Sequence, residues 1–217
     1  MPRIFQKARD PISSYSHFIG AALSLVGLGA MVIQLILTPG QSALNAVSCI
    51  LFCLSLIALY SASGIYHFSR AAANVLVMLR KLDHAMIYVL IAGTYTPLLL
   101  KLLPVARGAI FTATIWAVAL AGIIMKLCWI NAPRWLGTTL YLLLGWAIAV
   151  DLPALAALPV SAIVLLAAGG LLYTAGGLIY MVKRPNLSER FGFHELFHLF
   201  VIAGSLCHYF LVLFYIA

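Results

Sequence analysis

His67, Asp83, His194 and His198 are the residues of this sequence whose types and spacing point to chemistry. His194 and His198 stand four positions apart, so on a helix both rings leave the same face, one turn apart. A helix commonly presents two imidazoles to one zinc ion in this way. His67 can add a third imidazole from a neighbouring helix. Three protein ligands with a fourth position left to water is the pattern of catalytic rather than structural zinc. Asp83 is then a carboxylate able to hold or deprotonate that water. Ser63 precedes His67 by four residues and shares its face; its hydroxyl can fix an imidazole or donate to an oxyanion. Two plainer uses of the same residues remain open. Histidine and carboxylate suit a proton relay without metal, and a single membrane histidine is often an interhelical hydrogen-bonding group.

The elements that position these residues are set by composition. The chain has 217 residues, 65% apolar and 8% charged, with a mean hydropathy of +1.10, which excludes a soluble globular domain. A spanning helix takes roughly 20 apolar residues. Seven such stretches occur, near 14–36, 43–66, 82–100, 108–128, 135–152, 160–182 and 192–216. The expected fold is therefore all-α: a polytopic membrane protein in which residues 1–217 form one seven-transmembrane helix bundle. Short linkers such as Thr38-Pro39-Gly40, Asn131-Ala132-Pro133 and Arg184-Pro185-Asn186 carry the turn residues expected between helices. The first apolar run is longer than the roughly 7–15 residues of a signal-peptide core, so it reads as an uncleaved helix.

Orientation follows from Lys and Arg in the short loops, which mark cytoplasmic segments. The N-terminus (Arg3, Lys7, Arg9) and the second (Arg70, Arg80, Lys81), fourth (Lys126, Arg134) and sixth (Lys183, Arg184, Arg190) loops hold eleven of the thirteen; only Lys101 and Arg107 fall on the other side. The N-terminus is expected in the cytoplasm and the C-terminus outside. His67 then ends the second span, Asp83 begins the third, and His194 and His198 begin the seventh, so all four converge on the cytoplasmic end. The net charge of +8 suits an anionic inner leaflet. Its spread over separate loops argues against a nucleic-acid partner. Ionisable groups held at membrane depth are costly, which makes the convergent set a functional site by default.

Three motifs carry a resemblance. They are Ser63-Gly64-Ile65-Tyr66-His67 as S-x3-H, Leu82-Asp83-His84 followed by Ala92-Gly93-Thr94-Tyr95-Thr96-Pro97, and His194-Glu195-Leu196-Phe197-His198 as H-x3-H. With them the sequence resembles the hemolysin III family, the bacterial branch of the progestin and adipoQ receptor superfamily, over nearly its whole length. The resemblance implies zinc (Zn2+) held by His67, His194 and His198, with Asp83 reaching it through water. It also implies similarity to ceramidases and other lipid-amide hydrolases, while eukaryotic members act as receptors and the family's name suggests cytolysis. The family's first motif runs E-x2-N-x3-H. Here Asp10 keeps the carboxylate and His17 the imidazole, but Ser13 replaces the amide. Asp10 and His17 are thus expected in the second shell of the site, with capping or interfacial contact an equal alternative for His17.

His194-Glu195-Leu196-Phe197-His198 also satisfies H-E-x-x-H, in which Glu195 would be the general base of a metalloprotease. Among other polar residues, His84 is expected to point about 100° away from Asp83. His208, 14 residues beyond His194, lies roughly 21 Å deeper and too far to share the metal, although it can line a cavity. Asp151 reads as an interfacial residue, the four cysteines as apolar packing, and the tryptophans as interface anchors. The readings that follow are a zinc-dependent hydrolase of a membrane lipid amide or ester, a zinc-stabilised receptor or lipid-homeostasis protein without catalysis, and a cytolysin. The last fits least well, because seven mainly apolar helices lack a polar face to line a channel. The expected partner is a membrane lipid, and the expected location a bacterial inner (cell) membrane.

Overall fold

The computed structural model describes residues 7–189 and 191–217. Arg3 and Arg190, two of the charges that enter the orientation argument, lie outside the described residues. The described residues form seven α-helices: α1 Pro11–Leu37, α2 Ala43–Phe68, α3 Ala73–Leu102, α4 Val105–Cys128, α5 Arg134–Gly145, α6 Val160–Val182 and α7 Phe193–Tyr215. Proline marks several starts, where its missing N–H costs nothing: Pro11 opens α1, and Pro104, Pro133 and Pro159 immediately precede α4, α5 and α6. Ser42 caps α2 by accepting from the Asn45 amide at 3.1 Å. No strand occurs among the described residues.

Among the described residues, six stretches are long and apolar enough to cross a membrane, α5 counting together with the turns that continue it to Pro153. The protein is thus an all-α, multi-span membrane protein. The remaining helix, α3, has 30 residues, but Arg80, Lys81, Asp83 and Lys101 dilute its apolar run. It begins at Ala73 rather than near residue 82, because Ala73–Leu79 adds helix-forming residues in front of the apolar run. Arg80 and Lys81 therefore stand on a helix and not in a loop.

The fifth span also departs from expectation. Its α-helix stops at Gly145 and continues as a 3-10 segment, Ala147–Ala157, which bends at Asp151 (φ −136°, ψ 55°). Pro153 within that segment has no N–H to give an α-helical ladder. Asp151 is buried and ion-paired with Arg107, so it ties the bend to the start of α4 rather than facing the interface.

Neighbouring helices pack as α1 on α2, α2 on α3, α3 on α4 and α6 on α7, and α7 returns to touch α1. One core centres on Met31, Cys49, Phe52, Cys53, Leu211 and Val212, joining α1, α2 and α7. Another, with Tyr88, Leu99, Ala119 and Leu144, joins α3 to α4 and α5. Between the two cores lies a cavity of about 330 Å³ bounded mainly by α3, α5, α6, α7 and the 3-10 segment, with His17 of α1 and Leu59 and Ser63 of α2 also lining it. Its walls are mainly apolar, including Leu90, Leu98, Leu142, Leu166 and Val201, and it runs from His194 and His198 at one end to His208 and Ile163 near the other.

Candidate functional site

α2 ends one residue beyond His67, and α7 begins one residue before His194, so both helix ends deliver imidazoles to the same place. One nitrogen from each of His67, His194 and His198 lies within 4.8 Å of the others. The His67 and His194 Nε2 atoms are 3.2 Å apart. Ring centroids are separated by 4.9 Å for His67 from both partners and by 4.6 Å for His194 from His198.

Two of the three rings are held from behind. His67 Nδ1 lies 3.0 Å from Asp10 Oδ2. A carboxylate can only accept there, so Nδ1 carries the proton and Nε2 presents its lone pair to the cluster. His198 Nδ1 lies 3.3 Å from the Ser13 carbonyl oxygen, which selects the same tautomer by the same argument. Asp10 is held in turn by Arg9, whose Nε and Nη2 approach its Oδ2 at 3.1 and 3.0 Å and whose guanidinium lies 4.4 Å over the Tyr66 ring. The hydrogen bond from His67 is the main reason that the Asp10 carboxyl titrates below its ordinary range; burial opposes that shift and Arg9 adds to it. Carboxylates and carbonyls behind ligating histidines orient the ring and raise its basicity. Asp10 is thus in direct contact with His67.

His17 stacks on His198 with ring centroids 3.7 Å apart and 12° between planes. It is buried, and neither of its ring nitrogens has a partner among the described residues. Buried polar atoms are nearly always paired, so such an orphan marks a place for an ion or water.

Asp83 lines the cavity along with several of these rings. Ser63, Asp83, His17, His194 and His198 all line the same cavity. No carboxylate among the described residues joins the three imidazoles within their 4.8 Å group, which sets Asp83 back from them as an outer residue. Its recorded polar neighbour is His84, with Nδ1 3.5 Å from Asp83 Oδ2. His84 Nδ1 itself donates to the Arg80 carbonyl at 2.8 Å, and His84 lines the cavity beside Asp83. The angle between consecutive residues on a helix did not keep the two apart, because an imidazole can fold back over its own turn.

Glu195, the glutamate of the H-E-x-x-H reading, is engaged elsewhere. Its Oε2 accepts from the Gly192 amide at 2.9 Å, capping the first turn of α7, and its Oε1 accepts from Ser13 Oγ at 3.1 Å. A carboxylate committed to a helix cap and a hydroxyl is not poised as a general base. Ser13, which stands where the related motif has Asn, thus works twice: its hydroxyl holds Glu195 and its carbonyl orients His198. Sequence reasoning passed over the second role because a backbone carbonyl has no side-chain signature.

The donor set fits zinc. Nitrogens bound tetrahedrally at 2.0–2.1 Å are about 3.3 Å apart, and the His67–His194 nitrogen separation is 3.2 Å. Imidazoles with anchored Nδ1 atoms, an unpartnered fourth imidazole beside them and an offset carboxylate make a site with room for a further ligand. Of the residues singled out from sequence, His67, His194 and His198 are together, Asp10 and His17 touch them, and Asp83 and Ser63 face the adjoining cavity. His208 is at the cavity's far part, with Nε2 3.2 Å from the Leu166 carbonyl oxygen.

Comparison with known proteins gives the same family as the motifs. The sequence pattern of the family described as haemolysin-III related matches residues 5–209. A hemolysin-3 homolog of Bacillus subtilis (strain 168) is 35% identical over 213 residues, covering 98% of this chain and 96% of that protein. Hemolysin-3 of Bacillus cereus is 36% identical over 218 aligned positions, covering 100% of this chain and 96% of its own length.

Proposed function

Because the chain belongs to the haemolysin-III related family, and because its imidazoles converge at the mouth of an apolar cavity, we propose that it is a zinc-dependent hydrolase of a membrane lipid amide or ester. The observation that carries the reading is the conjunction of three close histidine nitrogens with a set-back carboxylate that lines the same cavity as two of them. In this reading all seven helices span the membrane, with the N-terminus cytoplasmic, the C-terminus outside and the site near the inner leaflet of a bacterial cell (inner) membrane. Lipid is the natural occupant of a cavity whose polar end is crowded and whose remaining walls are mainly apolar.

Bound zinc would supply Lewis acidity toward the scissile carbonyl and toward water. The chain's own residues divide the rest of the work. His67, His194 and His198 hold the ion, Asp10 and the Ser13 carbonyl fix the tautomers of His67 and His198, and the cavity aligns acyl chains so that the carbonyl lies at its polar end. Asp83 accepts the proton of the attacking water as general base and returns it to the leaving amine or alcohol. Ser63 Oγ donates toward the carbonyl oxygen as negative charge develops there. Walls without water keep these contacts strong.

The competing reading is a receptor or lipid-homeostasis protein with structural zinc, which needs no carboxylate beside an open position. Cytolysis, which the relatives' names suggest, finds less support in a cavity with mainly apolar walls. The test is hydrolysis of a panel of lipid amides and esters by zinc-loaded protein, with Asp83→Asn as control. Turnover lost in Asp83→Asn at unchanged zinc content agrees with the reading; absence of turnover across the panel in the folded, zinc-loaded parent favours the receptor.

A further inference from the structure

The same end of the bundle holds a set of cations that the hydrolytic scheme does not use. Lys126, in the last turn of α4, is only 4% exposed. Lysines at membrane interfaces ordinarily extend their ammonium groups to water, so a buried one needs a local reason. Its Nζ sits in a notch left by Gly137 of α5: a Cβ at that position would stand 2.5 Å from Nζ. The ammonium also lies 5.8 Å from the centroid of the Tyr141 ring, and Tyr141 is part of the cavity wall.

Lys126 has company of its own sign. Arg80, from α3, bears electrostatically on Lys126, on His84 and on Tyr180. Arg134, at the start of α5, lies 4.4 Å over the Tyr180 ring and donates from Nη1 to the Tyr180 carbonyl at 3.2 Å. None of these three cations forms an ion pair with a carboxylate among the described residues. Asp83 is the acidic group that shares their surroundings, since it too bears on His84, Tyr141 and Tyr180. Three cations around one carboxylate leave an excess of positive charge, and charges gathered without partners in an apolar setting are costly. An anion seated among them would offset that cost.

We propose that Arg80, Lys126 and Arg134 form a binding site for the phosphate of an anionic lipid headgroup, at the mouth of the cavity and separate from the histidine cluster. Arg and Lys are the side chains suited to phosphate, the one as a fork and the other as a point charge. A lipid is favoured over free phosphate because the apolar cavity begins at Tyr141 and Tyr180, and because Trp129 and Trp135, exposed at the adjoining ends of α4 and α5, have the placement of interface anchors. The site goes beyond the hydrolase reading and does not depend on metal.

The test is native mass spectrometry of the whole protein released from nanodiscs with equal phosphatidylglycerol and phosphatidylcholine. The parent retains phosphatidylglycerol in preference, and Lys126→Met and Arg80→Gln each lower that retention about tenfold, equivalent to ~1.4 kcal/mol. Lys126→Met places an apolar side chain in an apolar setting, so folding, checked by gel filtration and helicity, is kept. Gly137→Ala keeps every charge but displaces the ammonium from its notch, and lowers retention less than Lys126→Met. The measurement needs neither bound zinc nor turnover, so a failure of the metal reading leaves this one standing. Equal retention of both lipids by the parent, or unchanged retention in folded Lys126→Met, overturns the proposal. Release of the lipid by millimolar inorganic phosphate but not by chloride of equal ionic strength assigns the site to free phosphate and overturns the lipid source.

Discussion

On one wall of the site, built from α1, α2 and α7, His67 and His198 each give Nδ1 to a fixed acceptor, Asp10 or the Ser13 carbonyl. On another, built from α3, Asp83 has a 3.5 Å approach to His84 as its polar contact. The imidazoles are also covered by further layers, His17 stacked on His198 and Arg9 behind Asp10. The difference is what a binding function and a proton-transfer function each require. Ligands must be preorganised, since each degree of freedom lost on metal binding weakens it. A general base must be free to accept a proton and pass it on. In the proposed mechanism one wall holds the ion and the other exchanges the proton.

That contrast can be broken most severely on the first wall. His194→Ala removes one of three ligands, and zinc content measured on purified protein is expected to fall from about one per chain to near zero, with turnover falling alongside it. On the other wall, Asp83→Asn keeps the side chain's size while removing the carboxylate's basicity. Turnover should drop roughly 10²- to 10⁴-fold at unchanged zinc content; unchanged turnover would remove Asp83 from the mechanism. Asp10→Ala sharpens the comparison from behind, because it touches no substrate. It frees the His67 tautomer, and zinc affinity measured by chelator competition should weaken about 10- to 100-fold. The smallest effect is expected from Glu195→Gln. Gln keeps the acceptor for Ser13 but loses one for the Gly192 amide, which costs about 1 kcal/mol of stability in a thermal melt and leaves turnover near the parent's. A collapse of turnover there would restore the metalloprotease reading.

The parts of the molecule that were legible in the sequence are those carried by period and length. Apolar runs of about a span's length locate five helices, α1, α2, α4, α6 and α7, within a few residues of where they occur, and i, i+4 spacing places His194 and His198 on one face. What was not legible has physical reasons. The early start of α3 is hidden because Arg80, Lys81 and Asp83 interrupt an apolar count while leaving helix propensity intact. The 3-10 bend after Gly145 depends on Asp151 meeting Arg107 across the fold, a contact with no local signal beyond Pro153. In the site, side-chain contacts leave a trace in the sequence and backbone contacts do not: Asp10, which meets His67, is singled out by its motif, whereas the Ser13 carbonyl behind His198 has no letter of its own. Lys126 shows the limit from the other side. By sequence it is one basic anchor among several at a helix end; only the Gly137 notch makes it a buried cation.

The measurement that tests the central claim most directly is zinc per chain in protein purified without added metal, compared with His67→Ala and His198→Ala. The account predicts about one zinc in the parent and its loss in both variants, with helicity unchanged. A folded parent without zinc, or zinc retained undiminished in both variants, would contradict it.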